Sequence, residues 1–413
     1  MTSRCQAGAY RVFVAGVTAA LISACGGGGG GSGSGASGLA CSENEPGNGS
    51  TIIDGPSGPQ GSDYDQAFRS LSVHPADPNT VLLGTERNGF VRSTDGGTSW
   101  SRHRQGLRYS GDNYPEIWDI AYDPNDPSIV YAATLDSPGP VTGTYPSSIA
   151  GVYKSTDGGT TWARSNCGLV NSRAVSIAVS GTDSNVVVLG IEGGAATFSP
   201  LTGQYFNGGI FRSTDAGSNW SALSIDGNET TNGYWWLRAY GNSDQHFMTF
   251  GSDLDDQNNN LGFIKSENSG ANWSGLGAAV KNLFIAGFAI SMDGQTLYAN
   301  ERDSYEIRLS TNGGANWTTT SINQANGPVA VSPSDDQRVL YGGSSVLYLT
   351  TDGFATAPTT VLSAGDTITD IVFAPSDPTI AYAVARGYLV YKSTDSGASF
   401  SLVKNIRSEV LNN

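Results

Sequence analysis

Three observations predict an all-β fold, a single seven-bladed β-propeller. A nine-residue turn recurs as "RSTDGGTSW" at 92–100, "KSTDGGTTW" at 154–162 and "RSTDAGSNW" at 212–220. Degraded copies follow at 265–273, 309–317, 349–357 and 392–400, which makes seven. The copies lie roughly 40–60 residues apart, the length of a four-stranded blade. Three short apolar runs precede each copy and a short one follows it.

The chain divides into three parts. Residues 1–24 read as a signal peptide: Arg4 and Arg11 precede the apolar stretch 12–22, which is too short to span a bilayer. "ISAC" at 22–25 resembles the lipobox of bacterial lipoproteins, which implies cleavage before Cys25 and acylation of that cysteine. A plain secretory signal with Cys25 free is the alternative. Gly26 replaces the Asp that marks inner-membrane retention in such lipoproteins, so the bacterial outer membrane is the expected address. Residues 25–58 then form the lipidated cysteine and a tether, with "GGGGGGSGSGASG" at 26–38 too poor in side chains to build a core. Residues 59–413 form the propeller. Cys41 and Cys167 remain outside the signal and the lipid, and either pair as a disulfide or stay as two free thiols.

Within each unit the order is first strand, Asp/Pro-rich turn, second strand, loop, third strand, repeated turn, fourth strand. In the first unit these are "SLSVH", "PADPN", "VLLGT" and "GFVRS". The repeated turn has its own physics. Its Ser and Asp can bond the turn's own backbone, its glycine supplies a positive φ, and its Trp buries against the blade. Phe400 replaces the Trp in the seventh copy, and the sixth has Thr350 in the serine position and no aromatic at its end.

This Ser-x-Asp-x-Gly-x-x-Trp pattern resembles the Asp box, or BNR repeat, over residues 60–404 or so. The box occurs in sialidases, sortilin-like domains, photosystem II assembly-factor-like proteins and xyloglucan-degrading enzymes. The resemblance implies Asp boxes in the turns between third and fourth strands. It is nearly silent on activity, because a fold does not dictate a function.

The long loops all join fourth to first strands or second to third strands, and so fall on the face opposite the boxes. Variation confined to one face marks a binding surface on a rigid scaffold. Flat rings beside carboxylates on that face suit sugar rings, whose C–H faces stack on aromatics while their hydroxyls bond acids. The candidates are Tyr109, Tyr114, Trp118, Tyr145, Tyr205, Tyr234, Trp235, Arg238, Glu301 and Arg302. Core positions at the starts of first strands are the competing reading for Trp118 and for Tyr234 to Trp236. Asp253, Asp255 and Asp256 in "GSDLDDQNNN" could hold a structural Ca²⁺, or simply form a solvated loop. No other cofactor is expected.

A net charge of −15 without a basic cluster excludes nucleic acid and docking on anionic lipid headgroups, leaving a lipid anchor as the only membrane attachment. Catalysis has no motif. The acids of the loop face (Asp63, Asp65, Glu86, Asp112, Glu116, Asp136, Glu192, Glu301, Asp303, Asp366) offer carboxylate pairs, but nothing singles one out. There is no Gly-x-Ser-x-Gly and no metal-spaced His/Cys cluster, and the Arg-Ile-Pro motif of sialidases is absent. The expected protein is a monomeric, non-catalytic module of the cell envelope that binds a polysaccharide or an extracytoplasmic protein. A glycoside hydrolase or polysaccharide lyase with an acid pair on the loop face is the alternative.

Overall fold

The apolar runs between turn residues become strands in the computed structural model. It describes residues 51–52, 68–109, 114–135, 149–169, 172–192, 198–199, 204–205, 209–223, 233–240, 246–252, 262–276, 283, 285–320, 322 and 325–411. The signal segment, the tether apart from Thr51–Ile52, Cys25, Cys41, Tyr145 and the Asp253–Asp255–Asp256 loop lie outside these residues.

The described residues form seven four-stranded antiparallel sheets, each from strands consecutive in the chain. Their first strands are Phe68–Val73, Glu116–Tyr122, Ala174–Val179, Gly233–Tyr240, Ile285–Ile290, Val329–Ser332 and Ile368–Ala374. Successive first strands pack side by side, and the last, Ile368–Ala374, packs against the first, Phe68–Val73. The fold is a β-propeller, with sheets numbered here as blades in chain order.

The repeated turn is held by its own side chains. In the second copy Ser155 Oγ donates to Asp157 Oδ1 at 2.7 Å and accepts the Gly159 N–H at 2.8 Å. Asp157 Oδ1 also accepts the Thr161 N–H at 2.8 Å, and its Oδ2 accepts the Thr161 hydroxyl at 2.7 Å. Each such bond contributes about 1 kcal/mol net. In the first copy the Ser99 hydroxyl and amide bonds hold Asp95 down at about 2, so it stays ionised as a turn acceptor. Thr350 does the serine's work in the sixth copy: its Oγ1 donates to Asp352 at 2.9 Å and accepts the Phe354 N–H at 3.0 Å.

The Trp of each turn does more than cover its own blade. Trp162 of blade 2 stacks on Phe90 of blade 1 with ring centroids 3.9 Å apart, and Trp317 of blade 5 stacks on Phe263 of blade 4 at 5.0 Å. Trp220 and Trp273 enter the cores of blades 2 and 3 in the same way, and Trp100 packs with blade 7. In the sixth copy the missing aromatic is supplied from the glycine position. Phe354, at φ 72°, sets its ring 5.6 Å from both Tyr298 and Tyr341.

Two glycines make this docking possible. Trp162 and Trp220 donate their backbone N–H to the carbonyls of Gln105 and Cys167, in the loops that leave the preceding blade. Gly106 and Gly168 follow those carbonyls at φ 85° and 89°. A Cβ on Gly106 would sit 1.7 Å from the Trp162 carbonyl oxygen.

Turns and faces sort as the strand order requires. Gly96, Gly158 and Ala216 donate their N–H to the carbonyls of Asn79, Ser128 and Asn185, which lie in the turns between first and second strands. The two kinds of turn therefore share a face, and each first strand begins at the opposite one.

Among the described residues, closure exchanges no strand. Blade 7 supplies its own fourth strand, Ser401–Asn405, whereas Thr51–Ile52 pairs with Arg108–Tyr109 instead of edging blade 7. The seam between blades 7 and 1 is packed by Phe68, Leu71, Tyr382, Tyr388 and Val390. The short helix Arg407–Leu411 adds Val410 and Leu411 to that core. Arg104, fully buried, donates to the carbonyls of Asn88 and Val410, both at 2.6 Å, with its guanidinium 4.6 Å from the Tyr114 ring. Cys167 is disulfide-bonded, and its partner lies outside the described residues.

Gly106→Ala should therefore cost about 3 kcal/mol or more, because it meets both a positive φ and a backbone oxygen. Gly387 has φ 73° and nothing within 4 Å of an added Cβ, so Gly387→Ala should cost only about 1–2 kcal/mol. Denaturant midpoints of the two variants give the comparison, and equal losses would show that the close approach at Gly106 carries no weight.

Candidate binding site

The first strands start with a common irregularity. A β-bulge separates Phe68 from Ser70, Ile117 from Asp119, Ala174 from Ser176, Trp235 from Arg238, Ile285 from Gly287 and Ile368 from Asp370. A bulge adds an unpaired residue and re-aims the side chains beside it. Here that places Arg69, Trp118, Val175, Trp236, Ala286 and Thr369 around a cavity of about 280 Å³. All seven blades contribute to its lining, so the cavity sits on the ring axis. It lies at the starts of the first strands, away from the repeated turns.

Four charged groups line it: Arg69, Asp119, Arg238 and Asp370. The two aspartates bind neighbouring blades. Asp370 Oδ2 accepts the Leu71 N–H across the seam at 2.8 Å, and its Oδ1 accepts the Ile371 N–H at 2.8 Å. Asp119 does the same from blade 2 to blade 3, accepting Ile177 and Ile120 N–H at 3.1 Å each. Ser70 Oγ donates to the Ile117 carbonyl at 3.0 Å, linking blades 1 and 2.

Arg238 enters from blade 4. Its Nη1 donates to the Leu237 carbonyl at 2.9 Å and lies 3.6 Å from Asp119 Oδ2. Its side chain is 40% exposed, against 34% for Arg69, and unlike Arg69 it is not held by a pair of glutamates. Burial raises both carboxyls; for Asp370, backbone N–H bonds and Arg238 only partly offset it, leaving the group up at about 7. Asp119 moves in the same direction, with Arg238 as the chief opposing charge.

Arg69 is tied up by a second cluster. It pairs with Glu86, and its Nε lies 2.8 Å from Glu116 Oε1. Its guanidinium sits 5.1 Å from the Trp118 ring. Burial pushes Glu116 up, against Arg69, the Trp118 indole N–H and a hydrogen bond shared with Glu86.

Of the residues expected to bind, Trp118 and Arg238 meet at this cavity. Tyr109 is half-buried in the short pairing with Thr51, 5.8 Å from the Tyr114 ring. Tyr114 is itself 0% exposed and belongs to the core between blades 1 and 2, so its ring has no surface to offer a ligand. Glu301 is buried against Arg308 at 2.6 Å, and Arg302 is exposed beside Asp303 at 3.4 Å. Tyr205 belongs to a two-stranded hairpin with Phe198 opposite, and Tyr234 and Trp235 to the first strand of blade 4. Asp119 and Asp370 were not among the expected residues. Their signal is a polar residue breaking an apolar strand at one repeated place: "FRSLSV", "IWDIAY", "ITDIVF".

Solved structures share this fold. The chain aligns with YCF48 from Cyanidioschyzon merolae at a TM-score of 0.54 and 14% identity, over 81% of this chain and 97% of that one. For YCF48 bound to D1 peptide the values are 0.51 and 13%, over 84% and 97%. For an ancestral GH74 enzyme they are 0.58 and 18%, over 85% of this chain. The likeness is one of fold. This chain spans 47% of the GH74 enzyme, about half its length. No family model matches the sequence, and no curated protein matches it either.

The raised carboxyls set a pH dependence. A folded-state value of about 7 for Asp370, above the ordinary carboxylate range, means that folding favours the protonated acid. Its contribution is complete below the unfolded value and is lost as pH rises through about 7. The melting temperature should thus fall between pH 5 and pH 8.5. Asp370→Asn, which cannot titrate, should flatten that fall even if it lowers stability at pH 5. A fall of the same size in the variant would remove Asp370 as its source.

Proposed function

We propose that the protein is a non-catalytic binding module of the bacterial cell envelope, a single seven-bladed Asp-box propeller. Lipid on Cys25 and the 26–38 tether hold it to the outer membrane, and a Cys41–Cys167 disulfide pins the end of the tether to the ring. Its ligand, a glycan or an extracytoplasmic protein, meets the face opposite the boxes. The axial cavity carries this reading, because two indoles, an accessible guanidinium and two carboxyls converge on it from three blades. Two neighbours in fold support the same classes of partner: one is bound to a D1 peptide and another is a GH74 enzyme.

A glycosidase or lyase is the second reading, favoured by the raised Asp370 beside a second carboxyl. The hydrogen bonds argue against it. All four carboxylate oxygens of Asp119 and Asp370 already accept a backbone N–H. Acids held that way act as latches between blades, and moving a proton or attacking a sugar carbon would release them.

The discriminating experiment is a polysaccharide panel with the full chain carrying Cys25→Ser, read for new reducing ends and unsaturated uronates together. The expected result is no release from any substrate. Release that Asp370→Asn abolishes would replace the binding reading with the enzymatic one. In cells, Cys25→Ser should move the protein from the detergent-extracted envelope to the soluble fraction. A variant that stays in the envelope would refute the lipid anchor.

A further inference from the structure

The cavity's shape and charge narrow what it can take. It is ringed by first strands from all seven blades, so a polymer cannot run through it from side to side. A ligand must enter along the axis with its end first. At about 280 Å³ it is slightly smaller than the pockets of roughly 300–1,000 Å³ that hold drug-sized molecules. That leaves room for one ring rather than several.

The wall carries groups of both signs, two guanidiniums and two carboxyl groups. Arg69 is backed by Glu86 and Glu116, and Arg238 lies beside Asp119. A further carboxylate would face Asp119, Asp370 and the glutamate pair, and a further ammonium would face both arginines. A neutral ligand rich in hydroxyls meets neither repulsion and can use donors and acceptors alike.

The indoles supply the apolar part. Trp118 and Trp236 both pack against the Leu135–Val175 cluster and both line the cavity. Trp236 takes φ 52° to do so, a left-handed backbone for a bulky residue. Such strain is held where surrounding structure over-determines it, often at a ligand clamp.

We infer that the axial cavity takes one uncharged terminal sugar ring of a glycan, entered end-on, with Trp236 and Arg238 as the residues that hold it. The inference rests on the binding-module reading and names the ligand class of that same site.

The test uses the full chain carrying Cys25→Ser, titrated calorimetrically with cello-, manno-, xylo- and chito-oligosaccharides of one to six units, and with oligogalacturonates of the same lengths. At least one neutral series should bind at one site per chain, with affinity level beyond two units. Oligogalacturonates should bind at least tenfold more weakly. Trp236→Ala and Arg238→Gln should each lower affinity tenfold or more, while Met292→Ala, exposed on the turn face, should not. Should Trp236→Ala fail to fold, Arg238→Gln alone decides, because its exposed side chain has little packing to lose. Affinity that climbs with every unit to six would mean an open groove and overturn the inference. So would affinity indifferent to Arg238→Gln, or no neutral sugar binding at all. Reducing ends released in the same titration would instead overturn the binding reading itself.

Discussion

No blade of this molecule can bury its own two faces. A four-stranded sheet offers an apolar surface on each side, and the neighbouring sheet is what covers it. The tryptophan of the repeated turn is the instrument of that constraint. Trp162 on Phe90 and Trp317 on Phe263 show one rule, in which the aromatic of each turn belongs to the core of the preceding blade. The Ser–Asp hydrogen bonds of the turn fix the backbone from which the indole projects, so local polar chemistry serves a contact between blades. Phe354 makes the same point by exception, since its ring reaches Tyr298 from the glycine position when the terminal aromatic is missing.

A rule of nearest neighbours must still close on itself. Trp100 meets blade 7 as the other tryptophans meet their predecessors, and among the described residues nothing in the seam borrows a strand. What the seam adds is the helix Arg407–Leu411, whose final carbonyls would otherwise lack partners. Arg102 and Arg104 satisfy the carbonyls of Glu409 and Val410. Two charged side chains thereby tie the C-terminal helix to blade 1 at the seam. Arg104 is tolerable there because the Tyr114 ring and two carbonyls replace its water.

The repeated turns were legible because every bond that defines them lies within nine residues. Ser155, Asp157, Gly159 and Thr161 can be read as a turn from the string alone. The long-range partners of the same turn were not legible. That Trp162 would bury in the preceding blade, or that Gly106 must be glycine to let its backbone approach, depends on a loop some fifty residues earlier. The axial site was hidden for the same reason. Its residues come from separate first strands, and Asp119 reads as an interruption in "IWDIAY" until the neighbouring blade's Ile177 N–H is in view. Tyr114 misled in the opposite direction: a loop tyrosine looks exposed, and only the buried Arg104 beside it shows why it is core.

The axis is the one place where the nearest-neighbour rule breaks down. Everywhere else a side chain has a blade on either side to pack against; at the axis seven strands converge and leave a space none of them can fill. Apolar residues alone would leave a void there, and voids forfeit contacts. This chain instead bulges its first strands and turns Asp119, Asp370 and Ser70 back onto neighbouring backbone. The carboxyls are raised because that space is desolvated, yet they are placed there because the backbone needs acceptors across blades. A ligand hydroxyl arriving at Asp370 would therefore meet a group already committed to the ring. It could bond the remaining lone pairs without breaking the Leu71 contact, so binding should tighten the seam. A reaction that consumed the same carboxylate would loosen it. That difference in what the ring can tolerate is the physical argument for the proposed site, one that would hold its ligand and leave it unchanged.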